Sequence, residues 1–159
     1  MAAGKRTLHA ISPMTLDLLE TPQLAPQAKG APPTILIVDD DEAMVDVLSR
    51  RLKQQGFDTK VADSGEQGLA AARSERPALI LLDLRLPDAD GFTVCQRLVD
   101  SSETCDIPVI ILSGMERPDI IRRSRAAGCH YFVRKPYDPN ALLVLIRQAL
   151  DERDRWSER

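Results

Sequence analysis

The stretch Ala78-Leu-Ile-Leu-Leu-Asp-Leu-Arg-Leu-Pro87 decides how the rest of the chain is arranged. Its five successive apolar residues show neither the period of a surface helix nor the alternation of a half-exposed strand, which is typical of a strand buried on both faces of a parallel sheet. The apolar run stops at Asp83, and the following Pro87-Asp-Ala-Asp-Gly91 is typical of a turn. Asp83 is therefore predicted at the carboxyl end of a central strand, the edge where open α/β sheets bind ligands. Taken alone, Asp83 has a second interpretation as a helix N-cap or turn carboxylate.

The length and composition of the chain indicate one folded domain. A chain of 159 residues can bury a core, and a formal charge of −3 does not indicate nucleic acid or an anionic membrane as the main partner. Cys95, Cys105 and Cys129 are odd in number and lack metal-ligand spacing, which favours reduced thiols. We find no secretory signal and no apolar stretch approaching the ~20 residues of a membrane span. We therefore expect a soluble, cytoplasmic protein.

Residues 1–33 differ from the rest of the chain because they hold five of the eleven prolines. They are predicted to form a disordered N-terminal extension. An alternative is that residues 14–20 form a short helix that docks on a partner, although so short a helix is marginal in water. The folded domain is predicted over residues 34–153, followed by a charged C-terminal tail over residues 154–159.

From Thr34 onward, short apolar strands alternate with helices, which predicts βαβ units and right-handed crossovers. The fold class is α/β, a doubly wound, flavodoxin-like parallel sheet of five strands in the order 2-1-3-4-5 with five helices. No glycine-rich phosphate loop follows the first strand, so nucleotide binding of that kind is disfavoured. The expected strands are 34–38, 57–62, 78–83, 108–112 and 131–133. The expected helices are one that ends before Gly56 and four more at about 64–75, 92–99, 119–127 and 138–153.

The strand ends bring polar side chains to one edge of this sheet. Asp39 and Asp40 follow the first strand, Asp83 the third, Ser113 the fourth and Lys135 the fifth. Two unit charges ~5 Å apart repel by ~3 kcal/mol at an effective dielectric constant of ~20, so three clustered carboxylates need compensation. Mg²⁺ prefers oxygen ligands and keeps several waters, which suits an open cleft built from a few acids. The edge is therefore predicted to be a magnesium site, with the ammonium of Lys135 and the hydroxyl of Ser113 beside it.

This set of strand-end residues resembles that of the receiver domain of bacterial two-component response regulators, of the single-domain, chemotaxis-regulator-like kind. The likeness covers about residues 34–153, and the order and spacing of the residues are usual for the family. The residues that carry it are Asp39-Asp40, Asp83, Ser113-Gly114 and Lys135-Pro136.

The resemblance implies a role for each residue and a signalling function rather than an enzymatic one. Asp83 would be phosphorylated by a histidine kinase or a phosphotransfer protein, and Lys135-Pro136 would be joined by a cis peptide bond. The implied Mg²⁺ ligands are Asp39, Asp40, Asp83 and the backbone carbonyl of Arg85. The implied phosphoryl-binding and switch residues are Ser113, Gly114, Lys135 and Phe132.

Two further positions bear on the lifetime of the phosphoryl group. In proteins similar to this one, the residues two beyond the acceptor and two beyond the hydroxyl flank the path of the hydrolytic water. Here they are Arg85 and Met115. Because neither side chain can act as a base, we expect slow autodephosphorylation.

An alternative function is a pseudo-receiver, an interaction module that is not phosphorylated. An aspartyl phosphatase is disfavoured because Asp83-Leu-Arg85 lacks a second acid to protonate a leaving group. Since the chain ends soon after its last helix, we expect no DNA-binding domain, and the charge and the lack of an apolar span predict no membrane partner. Output is expected through contact of an unidentified protein with the face formed by residues 119–127, 131–133 and 138–153, and a weak homodimer is a further alternative.

Overall fold

A computed structural model describes residues 30–129 and 131–159. The predicted extension over residues 1–33 lies almost wholly outside these described residues, and so does the short helix predicted at 14–20. The domain boundaries at 34–153 stay a prediction. Among the residues that the structure describes, no helix is both long enough and apolar enough to cross a membrane.

Five strands and five helices alternate along the described chain. Every strand pair is parallel, and the strands lie in the order β2-β1-β3-β4-β5. The predicted α/β fold class and strand order are therefore confirmed. The strands are β1 Thr34–Val38, β2 Asp58–Ala62, β3 Leu79–Asp83, β4 Val109–Ser113 and β5 Tyr131–Arg134. The helices are α1 Glu42–Gln54, α2 Gly65–Glu75, α3 Gly91–Asp100, α4 Ile120–Ala126 and α5 Pro139–Ser157.

Both faces of the sheet are covered by helices, which explains the strands' lack of alternation. On β3, Ile80 and Leu82 belong to the core cluster that includes residues of α2, α3 and α4. Leu79 and Leu81 point the other way and belong to the cluster that includes residues of α1 and α5. All residues of β3 are buried, as expected for a central strand.

The register of the sheet places the strand-end residues side by side. Val38 pairs with Leu82, so Asp39 and Asp83 are the next residues along two neighbouring strands. Asp83 pairs in turn with Leu112, the residue before Ser113. Three of the predicted site residues are thereby brought to one edge by backbone pairing alone.

Polar side chains determine where the helices begin. Ser64 accepts a hydrogen bond from the backbone nitrogen of Gln67, and the Gln67 side chain accepts one from the backbone nitrogen of Asp63. N-caps of this kind typically contribute about 1 kcal/mol each. Aspartates that cap α1, α3 and α5 in the same way are Asp41, Asp90 and Asp138.

The predicted helix bounds differ from the observed ones by one residue or none, except at the end of α5. Helix α4 is one residue shorter at each end, and the side chain of Asp119, at its N-cap position, makes no capping hydrogen bond within the described chain. Helix α5 continues to Ser157, into the segment predicted as a tail at 154–159. Arg153 anchors this extension by donating from Nη1 to the carbonyl of Ala78, just before β3, at 3.1 Å.

Candidate functional site

Three carboxylates meet at the carboxyl edge of the sheet. One oxygen each from Asp39, Asp40 and Asp83 lies within 4.8 Å of the other two, and no other group of three potential ligands is this close among the described residues. Asp39 and Asp83 are buried, whereas Asp40 is exposed. The cluster therefore has a buried floor and a side that is open to solvent.

Lys135 places a cation against the buried pair. Its Nζ donates to Oδ2 of Asp39 at 2.9 Å and lies 3.8 Å from Oδ1 of Asp83. Its backbone nitrogen donates to the carbonyl of Ser113 at 2.9 Å, which fixes the end of β5 to the end of β4. The peptide bond between Lys135 and Pro136 is cis, as the resemblance implied.

The carboxylate of Asp39 is held by both of its oxygens. While Oδ2 accepts from Lys135, Oδ1 accepts from the backbone nitrogen of Asp41 at 3.0 Å. Aspartate side chains commonly accept a hydrogen bond from the backbone nitrogen two residues further on, in an Asx-turn. The run Asp39-Asp40-Asp41 is therefore a sequence pattern that is compatible with this turn.

The electrostatics of the cluster leave a surplus of negative charge. Burial raises the pKa of Asp83, Lys135 acts against this, and the charge of Asp39 raises the pKa further. Burial acts to lower the pKa of Lys135, but the hydrogen bond to Asp39 and the charge of Asp83 outweigh it, so that this pKa is raised. One ammonium facing three carboxylates does not balance them, and the donor set of oxygens suits a divalent cation such as Mg²⁺.

Ser113 and Gly114 lie at the end of β4. Ser113 is fully buried, and its Oγ accepts a hydrogen bond from the backbone nitrogen of Met115 at 3.0 Å. Around Gly114 the chain is open, since a Cβ there would have Cβ of Lys135, at 3.9 Å, as its nearest described neighbour. The segment after β4 is therefore fixed by the serine hydroxyl and has room beside the glycine.

The predicted switch residue Phe132 is half-buried on β5 and packs against the α2–α4 side of the core, as does Met115. Tyr131 faces the other side, where its hydroxyl donates to Glu152. Burial and this hydrogen bond raise the pKa of Tyr131 to about 12. The two neighbouring aromatic side chains thus pack on opposite faces of the sheet.

The loop after Asp83 contains contacts that sequence reasoning missed. A Cβ on Gly91 would lie 2.5 Å from Cα of Leu84, so only glycine allows this close approach. Asp88 accepts from the backbone nitrogens of Gly65 and Glu66 at 2.7 and 3.0 Å, and these bonds lower its pKa. The sequence indicated a turn here, but nothing in it pointed to the start of α2. Arg85 has an exposed side chain, and its backbone pairs with Asp90 in an isolated antiparallel bridge.

Residues 35–147 match the sequence profile of the response regulator receiver domain. This chain belongs to the response regulator receiver family. Receiver domains are modules of signal transduction rather than enzymes of the ordinary kind. The predicted family membership is thereby confirmed.

Solved structures show the same fold as this receiver domain. A CheY-like receiver domain protein from Methanospirillum hungatei is 30% identical, with a TM-score of 0.74, and the match covers 79% of this chain and 98% of that one. The beryllofluoride-activated receiver domain of RstA from Klebsiella pneumoniae is 26% identical with a TM-score of 0.69, covering 74% and 97% of the two chains.

Curated relatives of this receiver domain are longer proteins. The DNA-binding dual master transcriptional regulator RpaA of Synechocystis is 41% identical over 123 residues, which are 77% of this chain and 51% of RpaA. The DNA-binding response regulator MtrA of Mycobacterium tuberculosis is 35% identical over 120 residues, which are 76% and 51% of the two chains. The chain spans about half the length of the curated relatives it matches.

These relatives correct the partner expectation drawn from the sequence. From the position of the last helix near the end of the chain, the sequence predicts that the signal is passed on by protein contact alone and that there is no DNA-binding domain. RpaA and MtrA are both named as DNA-binding, and this receiver domain matches only half of each. The end of the chain is therefore no ground for excluding DNA binding, and the expectation as it was stated is wrong.

Proposed function

We propose that this receiver domain takes a phosphoryl group onto Asp83 from a phosphohistidine on a histidine kinase or a phosphotransfer protein. The observation that carries the proposal is the placement of the Asp83 carboxylate at a strand end between two further acids and the ammonium of Lys135. An ionised carboxylate is already a nucleophile, so no general base is required. What the reaction needs is charge neutralisation and alignment.

The proposed step is a displacement at phosphorus. A carboxylate oxygen of Asp83 forms the new bond to phosphorus, and the bond between phosphorus and the donor's imidazole nitrogen breaks, with its electron pair leaving on the imidazole. Lys135, whose Nζ lies 3.8 Å from Oδ1 of Asp83, is positioned to pair with a phosphoryl oxygen. Ser113, with Gly114 beside it, would donate its hydroxyl hydrogen to a second phosphoryl oxygen.

Mg²⁺ belongs to the same proposal, with Asp39, Asp40, Asp83 and the backbone carbonyl of Arg85 as its ligands. When bound, it would neutralise negative charge on the transferring phosphoryl group. The carboxylate cluster supports this choice, because it offers several oxygens and one open side. A cytoplasmic location is also proposed, which the unpaired thiols of Cys95, Cys105 and Cys129 suit.

Phe132 is proposed as the residue that transmits the change. Its ring packs in the same cluster as Met115, whose backbone nitrogen is held by the hydroxyl of Ser113. If Ser113 turns toward a phosphoryl group, the segment around Met115 shifts and the space available to Phe132 changes.

Phosphorylation with acetyl phosphate and Mg²⁺, followed by Phos-tag electrophoresis and intact mass, tests this function. We expect one phosphoryl group on the wild type, none on Asp83→Asn, and none when EDTA removes the metal. Asp63→Asn is the matched control, because Asp63 directly follows β2 at the same edge and lies outside the acid cluster of the described chain. A wild type that takes no phosphate would favour the pseudo-receiver interpretation.

The metal assignment has its own test. Asp40 is the exposed member of the cluster, so Asp40→Ala should leave the fold intact and weaken Mg²⁺ binding. Titration of the amide signals near Asp83 with Mg²⁺ measures the affinity. An unchanged titration in Asp40→Ala would contradict the assignment, and Asp63→Ala again serves as the control.

A further inference from the structure

Arg123 on α4 contacts the start of α3 in two ways. Its Nη2 lies 3.5 Å from Oδ2 of Asp90, and its Cζ lies 4.4 Å from the centre of the Phe92 ring. Asp90 is the N-cap of α3, and its other oxygen, Oδ1, accepts from the backbone nitrogen of Phe92 at 2.9 Å. One carboxylate thus holds the start of α3 with one oxygen and α4 with the other.

Asp90 is closely tied to the residues that follow the proposed acceptor. Its backbone pairs with Arg85, and the nitrogen of Gly91 donates to the carbonyl of Leu84 at 2.9 Å. The loop from Leu84 to Gly91 is therefore closed on itself. These two contacts tie Leu84 and Arg85 to Asp90 and Gly91, so we expect a displacement of one end of the loop to move the other.

Few other contacts hold α4 in place. Within the helix only Ile120 and Ser124 are buried, and the Ser124 hydroxyl donates to the carbonyl of Ile120 in the same helix rather than to another element. A cleft of about 220 Å³ lies beside α3 and α4, with Asp90, Phe92 and Arg123 on its wall. Arg123 therefore bridges the two helices at the edge of this cleft.

We propose that Arg123 is a positioning residue that couples the position of α4 to the loop after Asp83. In the state described, it holds α4 against the first turn of α3 through Asp90 and Phe92. A change in the loop moves Asp90, and this alters the ion pair between Asp90 and Arg123 that positions α4. This inference rests on the proposed function, since coupling carries a signal only if the loop changes state.

Hydrogen exchange of the α4 backbone amides tests the contact in protein without Mg²⁺ or phosphodonor. Arg123→Gln should speed exchange over residues 120–126 by roughly fivefold, as expected for the loss of an ion pair and a cation–π contact. Arg122→Gln is the matched control, because Arg122 is an exposed neighbour of the same charge on the same helix. Equal exchange in the two variants would overturn the proposal.

The partner residue gives a second variant that keeps the fold. Asp90→Asn retains an oxygen to cap α3 but loses the charge that attracts Arg123. It should speed exchange in α4 in the same direction. The double variant Asp90→Asn/Arg123→Gln should exchange no faster than the faster single variant, since both remove the same contact. Additive effects would overturn the assignment of this pair.

Beryllofluoride with Mg²⁺ tests the coupling itself. We expect it to change α4 exchange in the wild type and in Arg122→Gln, and to change it at least threefold less in Arg123→Gln. An equal response in all three proteins would overturn the coupling. If beryllofluoride and acetyl phosphate leave Asp83 unmodified in the wild type, the proposed function fails, whereas the exchange measured without ligand still decides whether Arg123 holds α4.

Discussion

The hydroxyl oxygen of Ser113 accepts a hydrogen bond from the backbone nitrogen of Met115 at 3.0 Å, although Ser113 is fully buried. The bond uses a lone pair of the oxygen and leaves the hydroxyl hydrogen available for a second partner. One side chain can therefore hold the loop after β4 and donate toward the acid cluster.

Ser113→Ala should have two effects. It leaves the Met115 nitrogen without its acceptor, which should lower the free energy of unfolding by about 1 to 2 kcal/mol in urea titrations. It should also slow phosphorylation by acetyl phosphate. Ser113→Thr keeps the hydroxyl and is the control. If the alanine variant is phosphorylated as fast as the wild type, the hydroxyl does not contact the phosphoryl group.

Asp83→Asn should stabilise the metal-free protein. Burial and the charge of Asp39 raise the pKa of Asp83 in the folded state above its unfolded value, so the charged form destabilises the fold. The gain in the free energy of unfolding, on the order of 1 kcal/mol, should be full at neutral pH and vanish below about pH 4, where Asp83 is protonated in both states.

Urea titrations across this pH range, in EDTA and in Mg²⁺, measure the effect. Mg²⁺ should reduce the difference in the free energy of unfolding between Asp83→Asn and the wild type. The reason is that a bound cation offsets the same repulsion between carboxylates that the asparagine removes. A variant that is less stable than the wild type at neutral pH in EDTA would show that Lys135 already overcompensates the acids.

Two glycines near the site should respond oppositely to alanine. Gly114→Ala fits in open space and should raise the free energy of unfolding by roughly 0.4 to 1 kcal/mol, because alanine restricts the unfolded chain. Gly91→Ala places a methyl group 2.5 Å from Cα of Leu84, and we expect a loss of about 2 kcal/mol or more. Thermal and urea denaturation of the pair provide the comparison. Equal effects would contradict the close approach at Gly91.

The phosphoryl group on Asp83 should be long-lived. Arg85 is exposed and always charged, and Met115 is apolar and half-buried, so neither orients a water for attack. Arg85→Asn/Met115→Glu supplies groups that orient water and should decay faster by roughly 5-fold to 150-fold, the equivalent of about 1 to 3 kcal/mol.

Loss of phosphate after removal of the donor gives the two rates. Arg85→Asn alone separates the effect of position 85, because glutamate at the half-buried Met115 carries a cost in stability of its own. If the double variant decays no faster than the wild type, Arg85 and Met115 are not what makes hydrolysis slow.

The fold and the location of the site were predictable because both depend on local pattern. Asp39, Asp83 and Ser113 each directly follow an apolar run, Lys135 comes two residues after one, and the carboxyl ends of parallel strands share an edge. The strand bounds differ from the prediction by about one residue, since periodicity within a buried run does not mark its ends.

The contacts that position the site were not predictable in this way. Asp88 reaches the start of α2 and Arg123 reaches Asp90 across large separations in sequence, and no local period encodes such pairs. Arg153 likewise reaches the carbonyl of Ala78 across 75 residues. The closer partner of Lys135 is Asp39 rather than Asp83, a preference set by side-chain geometry.

The complete burial of β3 has a mechanical consequence. A strand that is paired on both sides and buried along its whole length has little room to bend, so we expect that a new group attached to Asp83 is not accommodated by bending its own strand. Displacement must be taken up by the more compliant segments beyond the strand ends. The sheet then acts as a fixed support, and movement is confined to the rim.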